Sequence, residues 1–424
     1  MSVATASPRN TARVNPSVLN GRVSSQLLAQ ASIFLLAFTS AFVIFEPAPY
    51  DLLLPAFSAL FLIGGLRLSQ HSIILAAIFI IFNFGGLLAM FVAKSIEGIP
   101  MYLAVSVFLA ISSVFWCAVI EADYRRLTWL FRGYVIGAVI TSIAGIIGYF
   151  GALPGFGAFT LYDRAKGVFQ DPNVFGPFLV APVLYLVYGI FYGTFTRSLI
   201  RIPLLGIILF GLFLSFSRGA WGLTVISALI FYFLLLATET NLKQRFSLIA
   251  WASVGVVALV FALIIAVQFD SVSDMLSERA KVVQDYDGAR LGRFARHWIG
   301  FAWALENPLG IGAFQLGLTL GEDPHNIWLK SLMAYGWLGF AAWMTMTVTT
   351  LVGGARILGR DRPWKPFLFC AWSIFLGHQF LGWVIDLDHW RHVYLLVGII
   401  WGCMALEARY QRERRLASPA ARRG

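Results

Sequence analysis

Arg218 lies between two apolar runs, with only Ser215, Ser217 and Gly219 as polar neighbours. A guanidinium at such depth is costly and usually holds an anionic partner. Its planar fork fits phosphate oxygens through two parallel bonds. Farther along, in Arg290-Leu-Gly-Arg-Phe-Ala-Arg-His-Trp298, a helical spacing puts Arg293 and His297 on one face, with Arg290 a turn earlier. Asp323-Pro-His-Asn326 then introduces another apolar run and places His325 at its mouth. Imidazole titrates near neutrality and is the usual proton acceptor for a hydroxyl nucleophile. Upstream, Arg164 and Lys166 precede Asp171-Pro172-Asn173, a helix-start pattern. Cations of this kind suit phosphate, and an imidazole suits hydroxyl activation.

Each feature also has a plainer explanation. Arg218 fits snorkelling to an interface. The 290–297 stretch fits an amphipathic helix held on headgroups by its basic side. Asp171, Asn173, Asp323 and Asn326 fit helix capping. Pro308-Leu-Gly-Ile-Gly312 reads as a turn with backbone amides free for a ligand. Asp386, Asp388, His389 and His392 crowd one short loop, where they would ligate a divalent ion or, in the preferred reading, pair with arginines opposite.

The elements that must position these residues are membrane spans. The 424 residues are 59% hydrophobic and 12% charged, against about 25% charged in an ordinary soluble domain. Apolar runs fall near 27–45, 50–66, 73–93, 101–120, 129–150, 174–192, 202–217, 220–238, 248–268, 327–353, 367–385 and 393–406. They predict an all-α polytopic membrane protein of about twelve transmembrane helices. Three parts follow: a polar segment over 1–26, a membrane domain over 27–406 with a large polar loop over about 269–326, and a basic tail over 407–424. The first 23 residues and the tail after Arg409 read as flexible ends. Cys117, Cys370 and Cys403 fall inside the runs and read as small apolar residues.

Basic residues set the orientation. With the N-terminus inside and spans alternating, the cytoplasmic side receives 21 of 32 basic and 6 of 21 acidic residues, a net +15 against −4 outside. Both termini are thus expected in the cytoplasm and the 269–326 loop outside it. The overall +11 is explained by topology and calls for no nucleic-acid partner. Irregular backbone at membrane depth survives only where it lines a cavity or meets water, so the polar loops are where chemistry is expected.

Together the motifs resemble the O-antigen ligase-like family of lipopolysaccharide O-antigen ligases, O-antigen polymerases and exopolysaccharide polymerases. The matching stretches are Lys166-Gly-Val-Phe-Gln-Asp-Pro-Asn-Val-Phe-Gly176, Ser217-Arg-Gly-Ala220, Arg293 through Asn307-Pro-Leu-Gly-Ile-Gly312, and Pro324-His-Asn326. Their order also matches, and the likeness covers roughly residues 30–405. It implies a glycosyltransferase of the C type in the inner membrane, working at the periplasmic face without metal or cofactor. Arg218 and Arg293 would hold the undecaprenyl diphosphate of the glycan donor, and His325 would serve the acceptor hydroxyl, on a glycan or on lipid A-core. Arg290 is the alternative second arginine. Arg164, Lys166, Asn173 and Asn326 are expected around the substrate. The resemblance does not separate ligase from polymerase. A transporter or flippase of lipid-linked saccharide is the alternative, and a structural subunit of an export complex a third.

Overall fold

The computed structural model describes residues 16–279 and 293–417. Apart from a two-stranded hairpin, β1 (Thr160–Leu161) and β2 (Arg164–Ala165), the regular elements among them are helical. The helices are α1 (Pro16–Thr39), α2 (Pro49–Ile63), α3 (Gln70–Val92), α4 (Ile99–Ala122), α5 (Arg126–Tyr149), α6 (Pro172–Tyr192), α7 (Phe195–Leu214), α8 (Arg218–Thr238), α9 (Leu242–Ala266), α10 (Asp270–Arg279), α11 (Arg293–Glu306), α12 (Gln315–Leu320), α13 (Ile327–Leu358), α14 (Lys365–Leu381) and α15 (Arg391–Ala417). Each apolar run of the sequence overlaps one of them. Among the described residues, nine helices are long and apolar enough to cross a membrane, and Ser25–Thr39 and Pro49–Ile63 are shorter apolar helices.

Small residues decide which helices meet. In lipid, close backbone approach replaces the hydrophobic drive between helices. Gly85 of α3 faces Gly339 of α13 so closely that an added Cβ would stand 2.7 Å from the Gly339 nitrogen. Gly398 and Gly402 of α15 meet Ser113 and Ile120 of α4 in the same way, and Gly133 and Gly137 of α5 meet Phe34 and Phe38 of α1. The paired helices carry the largest contacts of the bundle. By contrast α9 is exposed along nearly its whole apolar length, as expected of a lipid-facing helix.

Several boundaries differ from the sequence expectation, and the first helix begins at Pro16, inside the expected flexible N-terminal segment. The first helix ends at Thr39, where Ser40 turns its hydroxyl onto the Ala37 carbonyl and Val43 bonds the Val168 carbonyl at 2.7 Å. The last helix runs to Ala417, so residues 410–417 of the expected flexible tail are helical. Glu407 explains the extension: it accepts from Arg360 and Arg362 at 2.8 and 2.7 Å, and Arg362 lies 3.9 Å over the Tyr410 ring.

Contacts between connecting segments close a circuit at one end of the bundle. Val43 bonds Val168 in the segment between β2 and α6. Arg164 bonds Ser215 in the α7–α8 turn. Gly219 packs on Leu381 at the end of α14. Ile327 donates to the Gly382 carbonyl at 2.8 Å. Lys330 pairs with Asp386 and Arg391 with Asp51. Arg218 and His325 therefore stand at the same end. The segments at the opposite end carry Arg125, Arg126, Arg360, Arg362 and the basic stretch of α15.

Candidate active site

The α7–α8 turn is shaped to present Arg218. Ser217 caps α8, its side chain accepting from the Ala220 amide, so Arg218 is the first helical residue. Phe216 sits at φ +44°, a strained value for a bulky residue and one that needs outside support. Arg164 supplies it. Its guanidinium is only 6% exposed, with Nε donating to the Ser215 carbonyl at 2.7 Å and Nη2 to Asn173 Oδ1 at 2.8 Å. Asp171 in turn caps α6, its Oδ1 accepting from the Asn173 amide at 2.6 Å. Arg164 and Asn173, expected at the substrate, thus tie hairpin, α6 and turn together behind Arg218. Lys166 is half-buried in the loop after β2.

The second group surrounds His325, which is itself at φ +46°. Asn326 side-chain oxygen accepts from the Trp328 and Leu329 amides at 3.0 and 3.2 Å, so this expected substrate ligand caps α13. His325 Nε2 lies 2.8 Å from Glu322 Oε1, and its Nδ1 lies 3.8 Å from Asp386 Oδ2. The other Glu322 oxygen takes Arg296 Nη2 at 2.5 Å. His297 Nε2 contacts the Pro324 carbonyl. Burial pushes the Glu322 carboxyl up, but His325 and Arg296 outweigh it and hold the group below the usual range.

The amphipathic helix α11 is present, with its faces reversed from the expectation. Arg296, Gly300 and Ala304 are buried, while Trp298, Phe301 and Leu305 are exposed. The basic side turns inward because Arg296 finds Glu322 there, and the apolar side is left outward. Arg293 is the first residue of α11, one turn before Arg296 and His297; only its backbone is described. Arg290 lies outside the described residues.

The Pro308–Gly312 amides are also engaged, contrary to the expectation of free donors. Ile311 and Gly312 both donate to the Met333 carbonyl, at 2.8 and 3.1 Å, and Trp337 donates to the Pro308 carbonyl at 2.9 Å. The loop docks on a kink of α13 at Gly336, φ +67°, whose added Cβ would stand 2.7 Å from the Leu309 carbonyl carbon. Only glycine takes that backbone at that distance.

Beneath His325 lies a charged cluster centred on Lys330, which the sequence did not single out. Lys330, one turn into α13, donates to Asp386 Oδ2 at 3.0 Å, approaches Asp323 Oδ2 at 3.7 Å and lies 5.4 Å over the Tyr102 ring. Asp388 accepts from the Tyr102 hydroxyl and stands 3.1 Å from His389 Nδ1. The two loop aspartates titrate oppositely. Burial raises Asp386 despite Lys330, whereas Lys330 and His389 overcome burial to depress Asp388. The preferred pairing of this loop with arginines is corrected: its partners are Lys330, Tyr102 and His389. Arg391 binds Asp51 at 2.7 Å instead. His392 is buried beside His378, ring centroids 5.3 Å apart, away from the aspartates. Among the described residues no three His, Cys, Asp or Glu side chains group as metal ligands. Lys330 was legible in principle, since an ionisable residue inside an apolar run marks a candidate site.

Two hollows lie at this end. The larger, about 460 Å³, is bordered by Tyr50, Trp116, His389, Trp390, Arg391 and His392. The smaller, about 210 Å³, is bordered by Gly312, Phe314, Asp323, Pro324, Lys330 and Met333. The smaller adjoins the residues flanking His325 and is the better candidate for chemistry; the cation bordering the larger is neutralised by Asp51.

Residues 203–344 match the family model described as O-antigen ligase. The match runs from α7 into α13 and so contains the positions of Arg218, Arg293 and His325. No curated protein matches the chain. The matched segment supports an O-antigen ligase-like family, in agreement with the motifs.

Proposed function

We propose, with kinship to the O-antigen ligases as the premise, that this protein moves a glycan from undecaprenyl diphosphate to an acceptor sugar hydroxyl at the periplasmic face of the inner membrane. The observation carrying the reading is His325 held by Glu322 at the same end of the bundle as Arg218. The basic opposite end supports a cytoplasmic assignment there under the positive-inside rule.

The chemistry follows from the side chains. In the neutral imidazole, Nε2–H donates to the Glu322 carboxylate, which leaves the Nδ1 lone pair as the base. The acceptor hydroxyl loses its proton to Nδ1 as its oxygen bonds the anomeric carbon. The bond from that carbon to the diphosphate breaks, and the diphosphate leaves with the electron pair. Direct displacement inverts the anomeric configuration. Charge grows on the leaving group, so guanidinium groups fixed in advance act where it develops. Arg218 has that role, with Arg293 or Arg290 as the second cation. Arg164 positions the turn rather than touching substrate. The leaving group is already anionic, so the reading requires no metal and no cofactor.

The test is reconstituted transfer with the lipid-linked glycan and the envelope glycolipid purified from a strain lacking this protein. Wild type is expected to transfer in the presence of chelator. Folded Arg218→Ala and His325→Ala variants are expected to lose at least about a hundredfold in rate. Wild-type rates in both variants refute the assigned roles. Lys330, a buried cation one turn inside its span, keeps the flippase alternative in view. Movement of intact lipid-linked glycan across proteoliposomes, with no new glycosidic bond, favours that alternative.

A further inference from the structure

Charge divides the site. Around His325 the described side chains include four carboxylates, Glu322, Asp323, Asp386 and Asp388, against two permanent cations, Arg296 and Lys330. Both cations are already engaged by these carboxylates. A diphosphate brought here would meet net like charge, most strongly at the buried Asp386 and Asp388. Hydroxyl and ammonium groups would meet the opposite, because carboxylates only accept hydrogen bonds and accept well from charged or polar donors.

One acceptor atom is still vacant. Asp386 Oδ2 is taken by Lys330, but Oδ1 is buried without a hydrogen-bond partner among the described residues. Such an atom is costly until a donor reaches it. Asp386 is also the carboxylate that faces His325 Nδ1, the nitrogen left as base. The adjoining 210 Å³ hollow is bordered by Asp323, Lys330 and Phe314. Phe314 is 37% exposed and braced edge-on by Tyr102, with ring centroids 5.1 Å apart. A partly exposed ring beside carboxylates offers an apolar face and a rim of acceptors. A pyranose presents the complement: one face of C–H groups and an edge of hydroxyls.

We propose that the acidic lobe of Glu322, Asp323 and Asp386 with Phe314 is the acceptor subsite, built for a neutral or amino sugar and hostile to an anionic one. Asp386 Oδ1 takes a hydroxyl or ammonium hydrogen next to the reacting hydroxyl, and Phe314 carries the ring face. The proposal rests on the transferase reading and names the acceptor class within it. The donor diphosphate is left to the arginine side of the site.

The experiment uses the full-length protein with lipid-linked glycan and envelope glycolipid, both extracted from a deletion strain. Linkage analysis of the wild-type product identifies the sugar that gained the new bond. It is expected to be a neutral or amino sugar; a uronic acid or phosphorylated sugar at that position overturns the proposal. Asp386→Asn replaces the vacant acceptor by a donor. Acceptor KM is expected to rise roughly ten- to a hundredfold, the range of one hydrogen bond to a charged group, with donor KM unchanged within about threefold. Phe314→Leu keeps an apolar side chain and guards against a folding failure at Asp386; it too is expected to raise acceptor KM. Unchanged acceptor KM in the folded variants, or a loss confined to kcat, overturns the subsite. Absence of transfer by wild type instead sinks the transferase reading itself.

Discussion

The turn at Arg218 and the lobe at His325 sit at one end of the bundle but are built in opposite ways. At the turn, backbone atoms do the positioning: a carbonyl of Ser215, a cap by Ser217 and a strained Phe216 are locked by one buried arginine. Around His325, side-chain charges do it: Glu322 is shared by His325 and Arg296, and Asp386 is shared by Lys330 and faces the imidazole. A group that must bind a fixed anion gains from rigidity. A group that must exchange a proton gains from titratable neighbours that set its tautomer. On the proposed function, the contrast separates a donor side from an acceptor side.

The largest expected effects fall on chemistry. Arg218→Lys keeps the charge but loses the bidentate fork, so turnover should lie between wild type and Arg218→Ala; equal rates for Lys and wild type remove the case for a guanidinium. Arg164→Ala should act through stability first. It leaves the Ser215 carbonyl and Asn173 Oδ1 without their buried donor, at a cost on the order of 2–4 kcal/mol, read as a drop in the thermal midpoint in detergent. A variant as stable as wild type would show that Arg164 does not hold the turn. Gly336→Ala forces a left-handed alanine against Leu309 and should cost about 2 kcal/mol or more, loosening the loop that carries Gly312 and Phe314 beside His325. An unchanged thermal midpoint in that variant would show that the kink tolerates a side chain.

The smallest effect is the pH response of the Glu322 strap. A carboxyl held below its usual range adds stability above the ordinary glutamate pKa of about 4.3 and loses it as pH falls through the lowered value. Glu322 is 47% exposed, so solvent screening keeps the contribution under about 1 kcal/mol. At low salt, wild type should lose slightly more thermal stability than Glu322→Gln as pH drops below about 4.3. Parallel curves would mean the strap is not electrostatic.

Much of the helical layout was readable because apolar runs report the membrane directly. The Asn326 cap, which the sequence also suggested, leaves His325 just ahead of a helix start; the Ser217 cap that makes Arg218 the first residue of α8 was not read from the sequence. The partners were not readable. Arg296 rather than the basic face of α11 at large meets Glu322, and Lys330 lies 56 positions from Asp386 in the chain. Such pairings depend on tertiary approach that no local period encodes. Arg164 shows the same limit: a buried arginine that binds a backbone carbonyl and one that binds phosphate look alike in sequence.

The division of labour is tested most directly by equilibrium binding of undecaprenyl diphosphate, without acceptor, to wild type, Arg218→Ala and His325→Ala in matched detergent. The account predicts at least about tenfold weaker binding for Arg218→Ala and near wild-type affinity for His325→Ala. Equal affinities in all three proteins, or a loss confined to His325→Ala, would contradict it.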